Sequence, residues 1–314
     1  MKISVLITNP ISKAMNFSEA NKNKLEKALP DAIISVHDNP KSFREDLKEI
    51  DIVLVWFFNS NWIKKAPNLK WVATPAAGKD YLTTDFPEHI LLTHSSFHGE
   101  IIAENVLGAM LGFSRGLFWI YKHQDEFHWP KQEYDNRVKA LKGTHLVILG
   151  YGHIGNHIAR LAKSFGVQIT GIKRNLIELP KFFDENDKIN TIEDLDSVLP
   201  KTDHLVLTLP RDDSTDNIIN VERLKLLPKN AFIYNVGRGN TIDETALVDA
   251  LNEGTISGAY LDVFQKEPIE KNSPLRNCPN LLLTPHSSAM APNFLDLFID
   301  EFVEKYKQWK NKMV

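Results

Sequence analysis

Cysteine is nearly absent: Cys278 stands alone in 314 residues, which excludes an internal disulfide framework and any multi-cysteine metal site and fits a reducing compartment. No apolar run approaches the roughly 20 residues of a membrane span. The opening run Met1-Lys-Ile-Ser-Val-Leu-Ile-Thr is stopped by Asn9-Pro10, too soon for a secretory signal, so the cytoplasm is the expected location. Neither sign of charge dominates; a net charge of -3 gives no reason to expect nucleic acid as a partner. Repeats and low-complexity tracts are also missing. What remains is the balance of a globular protein, 43% hydrophobic and 25% charged, in a chain long enough for two domains.

Strand-like and helix-like segments alternate from the start, which predicts a mostly parallel α/β architecture. Residues 1–8, 33–36, 51–58, 70–74 and 90–93 read as strands and 18–29 as a helix ended by Pro30. This first unit carries no glycine fingerprint and is the candidate substrate side. Between 99 and 121, Ile102, Val106, Met110, Phe113 and Phe118 recur at helical spacing. So apolar a helix belongs in a core or at a link between domains, where it would also offer a dimer face. Residues 123–137 read as a surface excursion. The alternation then resumes, with strands over 144–149, 167–172, 204–209, 231–236, 258–263 and 281–284 and helices over 192–199, 221–227 and 244–253. A terminal amphipathic helix over 292–313 is expected to return to the first domain. The expected fold is therefore α/β with two doubly wound parallel sheets. A Rossmann-type cofactor domain would span 100–288, and a smaller, discontinuous flavodoxin-like domain 1–99 and 289–314.

The apolar strand Leu146 to Leu149 runs into Gly150-Tyr-Gly152-His153-Ile154-Gly155. Gly150 permits the sharp turn, Gly152 the close approach of backbone to a pyrophosphate, and Gly155 the packing of helix on sheet, while the helix opening at His153 and Ile154 offers its positive end to phosphate. A second strand follows up to Ile172. Where an acid that accepts the ribose hydroxyls is usual, the chain has Lys173 and Arg174. Two cations there would repel nothing and would bind a 2'-phosphate, so NADP(H) is expected over NAD(H).

Ligands gather past the carboxyl ends of such strands, which singles out Arg238, Glu267 and His286. A guanidinium matches the paired oxygens of a carboxylate and stays charged. Histidine titrates near neutrality and can deliver a proton, and a carboxylate beside it would favour the imidazolium and fix the ring. These are the groups that reduction of a carbonyl beside a carboxylate requires.

In order along the chain come Ala77-Gly78-Lys-Asp80, Glu100-Ile-Ile-Ala-Glu104, the fingerprint, Leu209-Pro210 with Thr215, Asn235-Val236-Gly237-Arg238-Gly239, Leu261-Asp262-Val-Phe ending in Glu267-Pro268, and Thr284-Pro-His286. The set resembles the D-isomer-specific 2-hydroxyacid dehydrogenase family through nearly all of the chain. The resemblance implies that Arg238 binds and polarises a 2-oxoacid, that His286 is the acid/base, and that Glu267 pairs with it. It further implies that Leu209, Pro210, Thr215, Val236 and Gly237 line the cofactor, that Asp262 lies near the nicotinamide, and that amides around Ala77 and Gly78 hold the substrate carboxylate. Two lobes closing over a cleft and a homodimer are also implied. The basic pair is similar to that of NADPH-preferring glyoxylate and hydroxypyruvate reductases. Two departures are expected to matter: Ser287-Ser-Ala-Met-Ala-Pro292 is bulkier than the glycine-bearing loop common in the family, and neither a C-terminal regulatory domain nor a basic cluster for a substrate phosphate is seen. A small unphosphorylated 2-oxoacid is the expected substrate, with phosphoglycerate or a bulkier oxoacid as the alternative. The corepressors that resemble this family give a non-enzymatic alternative, a dinucleotide-gated binding module; the added terminal segments typical of them are not found here.

Overall fold

A computed structural model describes residues 1–10, 12–78, 82, 85–126 and 129–312, and the chain divides into two compact units, 1–98 with 290–314 and 99–289. The first unit holds five parallel strands, β1 (Lys2–Leu6), β2 (Ile33–Val36), β3 (Ile52–Val55), β4 (Trp71–Thr74) and β5 (Leu91–His94), in the order β2-β1-β3-β4-β5. That is the flavodoxin-like order. Strands β3 and β4 are buried throughout and read as unbroken apolar runs, whereas β2 and β5 lie at the edges and are partly exposed. Helix Glu19–Ala28 starts at Ser18, whose hydroxyl accepts the Asn21 N–H at 3.2 Å while Asn21 Oδ1 accepts the Ser18 N–H at 3.0 Å. Two short helices, Pro40–Asp46 and Ser60–Ile63, have no counterpart in the periodicity; each is started by a capping asparagine, Asn39 and Asn59. Helix Phe294–Asn311 packs in this unit, with Phe302 5.1 Å from Trp71 between ring centres and Asn21 bonded to Asp296.

The second unit holds seven parallel strands, β6 (His145–Leu149), β7 (Gln168–Ile172), β8 (Lys188–Asn190), β9 (His204–Leu207), β10 (Phe232–Asn235), β11 (Gly258–Leu261) and β12 (Leu281–Leu283). Their order is β12-β11-β10-β9-β6-β7-β8, so the direction of winding reverses between β6 and β9. Register decides where chemistry can gather. Leu149 pairs with Leu207, Leu207 with Asn235, Asn235 with Leu261, and Leu261 with Leu283, so the strands end level. The residues that follow each strand therefore emerge along one edge, from Gly150 to His286. The edge strand β8 is three residues long and carries Lys188 and Asn190, too short and polar for its pattern to announce it.

One expectation needs correction. The apolar stretch after 99 is not a single helix but two, His98–Ser114 and Leu117–His123, bent by 64° at a break where Gly116 takes φ 65°. Glycine enters that region without a Cβ penalty, and the helix stops there. Ile102, Val106, Leu107 and Met110 lie in the core of the second unit with Val167 and Tyr234. A short helix, Lys131–Asp135, lies within the segment read as an excursion. Among the described residues no single helix is long and apolar enough to cross a membrane.

Candidate active site

Asn235, the last residue of β10, is buried and organises the turn beyond it. Its Oδ1 accepts the Gly237 N–H at 3.1 Å, and its Nδ2 donates to the Arg238 carbonyl at 3.0 Å and to Thr241 Oγ1 at 3.2 Å. Thr241 itself donates to the Arg238 carbonyl at 2.7 Å. The backbone of Arg238 is thus held by two buried side chains, and its guanidinium Nη1 donates to the Gly237 carbonyl at 2.8 Å. Gly239 then lies on the turn after β11, where a Cβ would stand 1.9 Å from the Phe264 carbonyl carbon.

His286 and Glu267, 19 residues apart, meet with Nδ1 2.8 Å from Oε2, each side chain 36% exposed. The other carboxylate oxygen, Oε1, accepts the Phe264 N–H at 3.0 Å. With both oxygens engaged, Glu267 has one orientation toward the ring. His286 takes φ 52°, an uncommon region for a residue with a side chain, and its N–H donates to the Asp262 carbonyl at 2.8 Å and the Thr284 carbonyl at 3.1 Å. The conformation is imposed by Asp262. That carboxylate is fully buried and accepts the Thr284 hydroxyl and the N–H groups of Ser287 and Ser288 at 2.7 and 2.8 Å. The Ser288 carbonyl in turn accepts from Asn105 Nδ2 at 3.0 Å. Among the described residues, the donors to the Asp262 carboxylate all come from the segment that carries His286, a task the sequence did not disclose.

The electrostatics follow from these contacts. The hydrogen bond that His286 donates to Glu267 holds the His286 pKa above its ordinary value against the opposing effects of burial and of the Arg238 charge. Burial pushes Glu267 upward, but the bonds from His286 and the Phe264 amide and the charge of Arg238 outweigh it and leave its pKa below the ordinary value. The pairing therefore favours the protonated form of His286 and the ionised form of Glu267 relative to the free side chains.

On the other side of the switch point, β6 turns out of the sheet at Gly150, with φ 97° and no room for a Cβ, which would lie 2.9 Å from Leu209 N. Thr208 Oγ1 clamps the turn by donating to the Gly150 carbonyl at 2.8 Å. Helix His153–Lys163 begins at Gly152, and no side chain caps its first N–H groups. A Cβ on Gly152 would come no nearer than 3.8 Å to another group. A glycine with no side chain before uncapped amides at a helix N-terminus lets an anionic phosphate approach the backbone, so these residues fit a dinucleotide. Thr215 is buried and pins the neighbouring loop through Pro210 and Asp212 carbonyls at 3.3 and 2.7 Å. Val236 is buried beside Gly237. At the end of β7, Lys173 is half-buried and the Arg174 side chain is 80% exposed, its Nη2 3.8 Å from Asp212.

Residues 107–288 match the family model described as D-isomer specific 2-hydroxyacid dehydrogenase, NAD binding domain. The chain belongs to this family. It is an oxidoreductase that works on small 2-hydroxyacids or 2-oxoacids with a nicotinamide dinucleotide, which sets the binding-module alternative aside. A crystal structure of a D-isomer specific 2-hydroxyacid dehydrogenase family protein from Aeromonas salmonicida is similar over 99% of this chain and 96% of that one, with 30% identity and a TM-score of 0.83. A family member from Xanthobacter autotrophicus, solved in complex with NADPH and MES, is 26% identical with a TM-score of 0.78 over 98% of this chain and 95% of that one. Glyoxylate/hydroxypyruvate reductase B of Pectobacterium carotovorum is 32% identical over 73% of this chain and 72% of its own length.

In the dehydrogenase the second unit alone brings Arg238, Glu267 and His286 to neighbouring strand ends. Ala77 and Gly78 belong to the first unit, after β4, where Thr74 Oγ1 accepts the Ala76 N–H at 3.2 Å and the Ala76 carbonyl accepts the Ser95 N–H at 3.1 Å. Lys79 and Asp80 lie outside the described residues. Of the aromatic residues near β3, Trp62 is buried against Phe43 and Phe58, Trp56 stacks on Phe294, and Phe57 is 55% exposed. Asn235, Thr241 and Phe264 were not recognisable as supports from the sequence, since they act through the geometry of their own turns, and Gln265 was not because its partner Glu244 comes from the helix that follows the neighbouring strand.

Proposed function

We propose that the enzyme reduces a small, unphosphorylated 2-oxoacid of glyoxylate or hydroxypyruvate size to the D-2-hydroxyacid, with NADPH preferred to NADH. The 2.8 Å contact between His286 Nδ1 and Glu267 carries the reading. Nδ1 is committed to the carboxylate, so the proton that reaches the substrate oxygen leaves from Nε2. The bond to Glu267 raises the pKa and so favours the form that carries that proton. Arg238 holds the substrate carboxylate and draws charge from the carbonyl. The nicotinamide supplies the hydride when bound. Lys173 and Arg174 accept the 2'-phosphate, Gly150, Gly152, His153, Ile154 and Gly155 the pyrophosphate, and Leu209, Pro210, Thr215, Val236, Gly237 and Asp262 flank the remainder. The reductase name and the NADPH complex among the relatives support this choice of substrate and cofactor. We place the dimer contact on the second unit, where Leu117, Tyr121 and Trp129 are exposed.

A panel of 2-oxoacids of increasing size, assayed with both cofactors, tests the proposal. Glyoxylate and hydroxypyruvate should give the highest kcat/KM, with NADPH ahead of NADH by about tenfold or more. Preference for a branched or phosphorylated substrate, or for NADH by about tenfold, overturns it.

A further inference from the structure

Two successive backbone amides in the turn after β11 hold two carboxylates. Phe264 N–H donates to Glu267 Oε1 at 3.0 Å, and Gln265 N–H donates to Glu244 Oε1 at 2.6 Å. Glu244 is half-buried and opens the helix Glu244–Asn252, which is capped by Asp243 through the N–H groups of Thr245 and Ala246. The Gln265 side chain secures the same turn from its other end, donating to the Ile242 carbonyl at 2.8 Å and to Asn217 Oδ1 at 3.3 Å. Gly239 lies against the intervening peptide, 1.9 Å from its carbonyl carbon by the position a Cβ would take.

We propose that Glu244 is a positioning residue for the reaction: by gripping the Phe264–Gln265 peptide it fixes the amide that aims Glu267 at His286. A peptide unit is planar, so restraining the Gln265 N–H restrains the Phe264 carbonyl and with it the torsions of Phe264. The Phe264 N–H is the only backbone donor on Glu267 among the described contacts. Losing the Glu244 bond removes the hydrogen bond that fixes the Gln265 N–H, while the Gln265 side chain, Gly239 and the buried Phe264 ring still hold the turn. The inference rests on the reading of His286 as proton donor.

The charged groups around these residues set what a pH measurement reads. His286 is faced by Glu267, Asp262 and Arg238; Glu267 by His286, Arg238 and Glu244; and Glu244 by Glu267. Burial, with help from the Glu267 charge, holds the Glu244 pKa above its ordinary value, and the Gln265 N–H opposes the rise. Because a glutamine retains the acceptor oxygen, Glu244→Gln separates the hydrogen bond from the charge.

The test compares wild type, Glu244→Ala and Glu244→Gln by NMR titration of the His286 ring in the cofactor-free protein and by kcat and KM for 2-oxoacid reduction. Expected for Glu244→Ala are a His286 pKa moved down toward its ordinary value and a kcat lower by about tenfold, with KM within about threefold; Glu244→Gln should restore both. A folded Glu244→Ala protein with unchanged titration and kcat overturns the proposal. Should that variant fail to fold, Glu244→Asp, one methylene too short to reach the amide, decides by the same readouts. Retained turnover in His286→Asn would instead overturn the underlying assignment, while the ring titration in the Glu244 variants still reports whether the grip on Glu267 exists.

Discussion

A β-carbon on Gly239 would stand 1.9 Å from the carbonyl carbon of Phe264, so the turn that carries Arg238 rests directly on the turn that aims Glu267. The obstructing atoms are backbone and cannot swing aside. Gly239→Ala should therefore cost more than about 2 kcal/mol of stability and lower kcat/KM by about tenfold or more. Gly152→Ala is the contrast, since its methyl would meet only the Gly150 carbonyl oxygen, at an ordinary contact distance of 3.8 Å. Its unfolding temperature should stay at the wild-type value while dinucleotide affinity falls, because the methyl blocks the approach of phosphate to the helix amides. Thermal unfolding and a fluorescence titration with NADPH read both effects; unchanged affinity in Gly152→Ala would contradict the placement of the pyrophosphate.

Asp262 fixes the backbone of the His286 segment by accepting one hydroxyl and two amides. Asp262→Asn turns one acceptor into a donor facing an N–H. A loss of about 2 kcal/mol in chemical unfolding is expected, together with a fall in kcat. Wild-type stability in that variant would refute the role.

Much of the architecture was legible because buried parallel strands announce themselves as short apolar runs, Val147 to Leu149 and Leu205 to Leu207 among them. Arg238, Glu267 and His286 could be singled out because each follows such a run. What could not be read was tertiary: Asn235 beneath Arg238, Asp262 beneath His286, and Glu244 beside Glu267 all act through neighbours remote in sequence or through turns whose geometry no periodicity encodes. The kink at Gly116 was missed for the opposite reason. Apolar spacing continues across it, and only the positive φ marks the break.

Lys173 and Arg174 lie at the end of β7, where the resemblance to NADP users enters. Replacing both by alanine should weaken NADPH binding by about tenfold or more and leave NADH binding within about twofold, the difference expected of charge-assisted bonds to one phosphate. Isothermal titration with each dinucleotide measures it. Equal losses for both would show that the cations contribute only general attraction.

His204 is a buried group outside the active site, its Nδ1 3.0 Å from the Tyr234 hydroxyl and its pKa lowered to about 4 by burial. The unfolded chain binds a proton here near 6.5 and the folded chain does not, so stability should fall as pH drops from about 6.5 to about 4. The total is on the order of 3 kcal/mol. Unfolding free energies across that range should fall less steeply in His204→Asn; an identical slope would place the acid sensitivity elsewhere.

The central claim is that His286, its protonated form favoured by Glu267, delivers the proton in 2-oxoacid reduction. The raised pKa of His286 means that reduction should persist above pH 6.5 and decline as pH rises through the folded value. The measurement is the pH dependence of kcat/KM for reduction in wild type and Glu267→Gln. The alkaline limb should shift to lower pH in the variant, with turnover nearly abolished in His286→Ala; an alkaline limb that stays in place when Glu267 is neutralised would contradict the account.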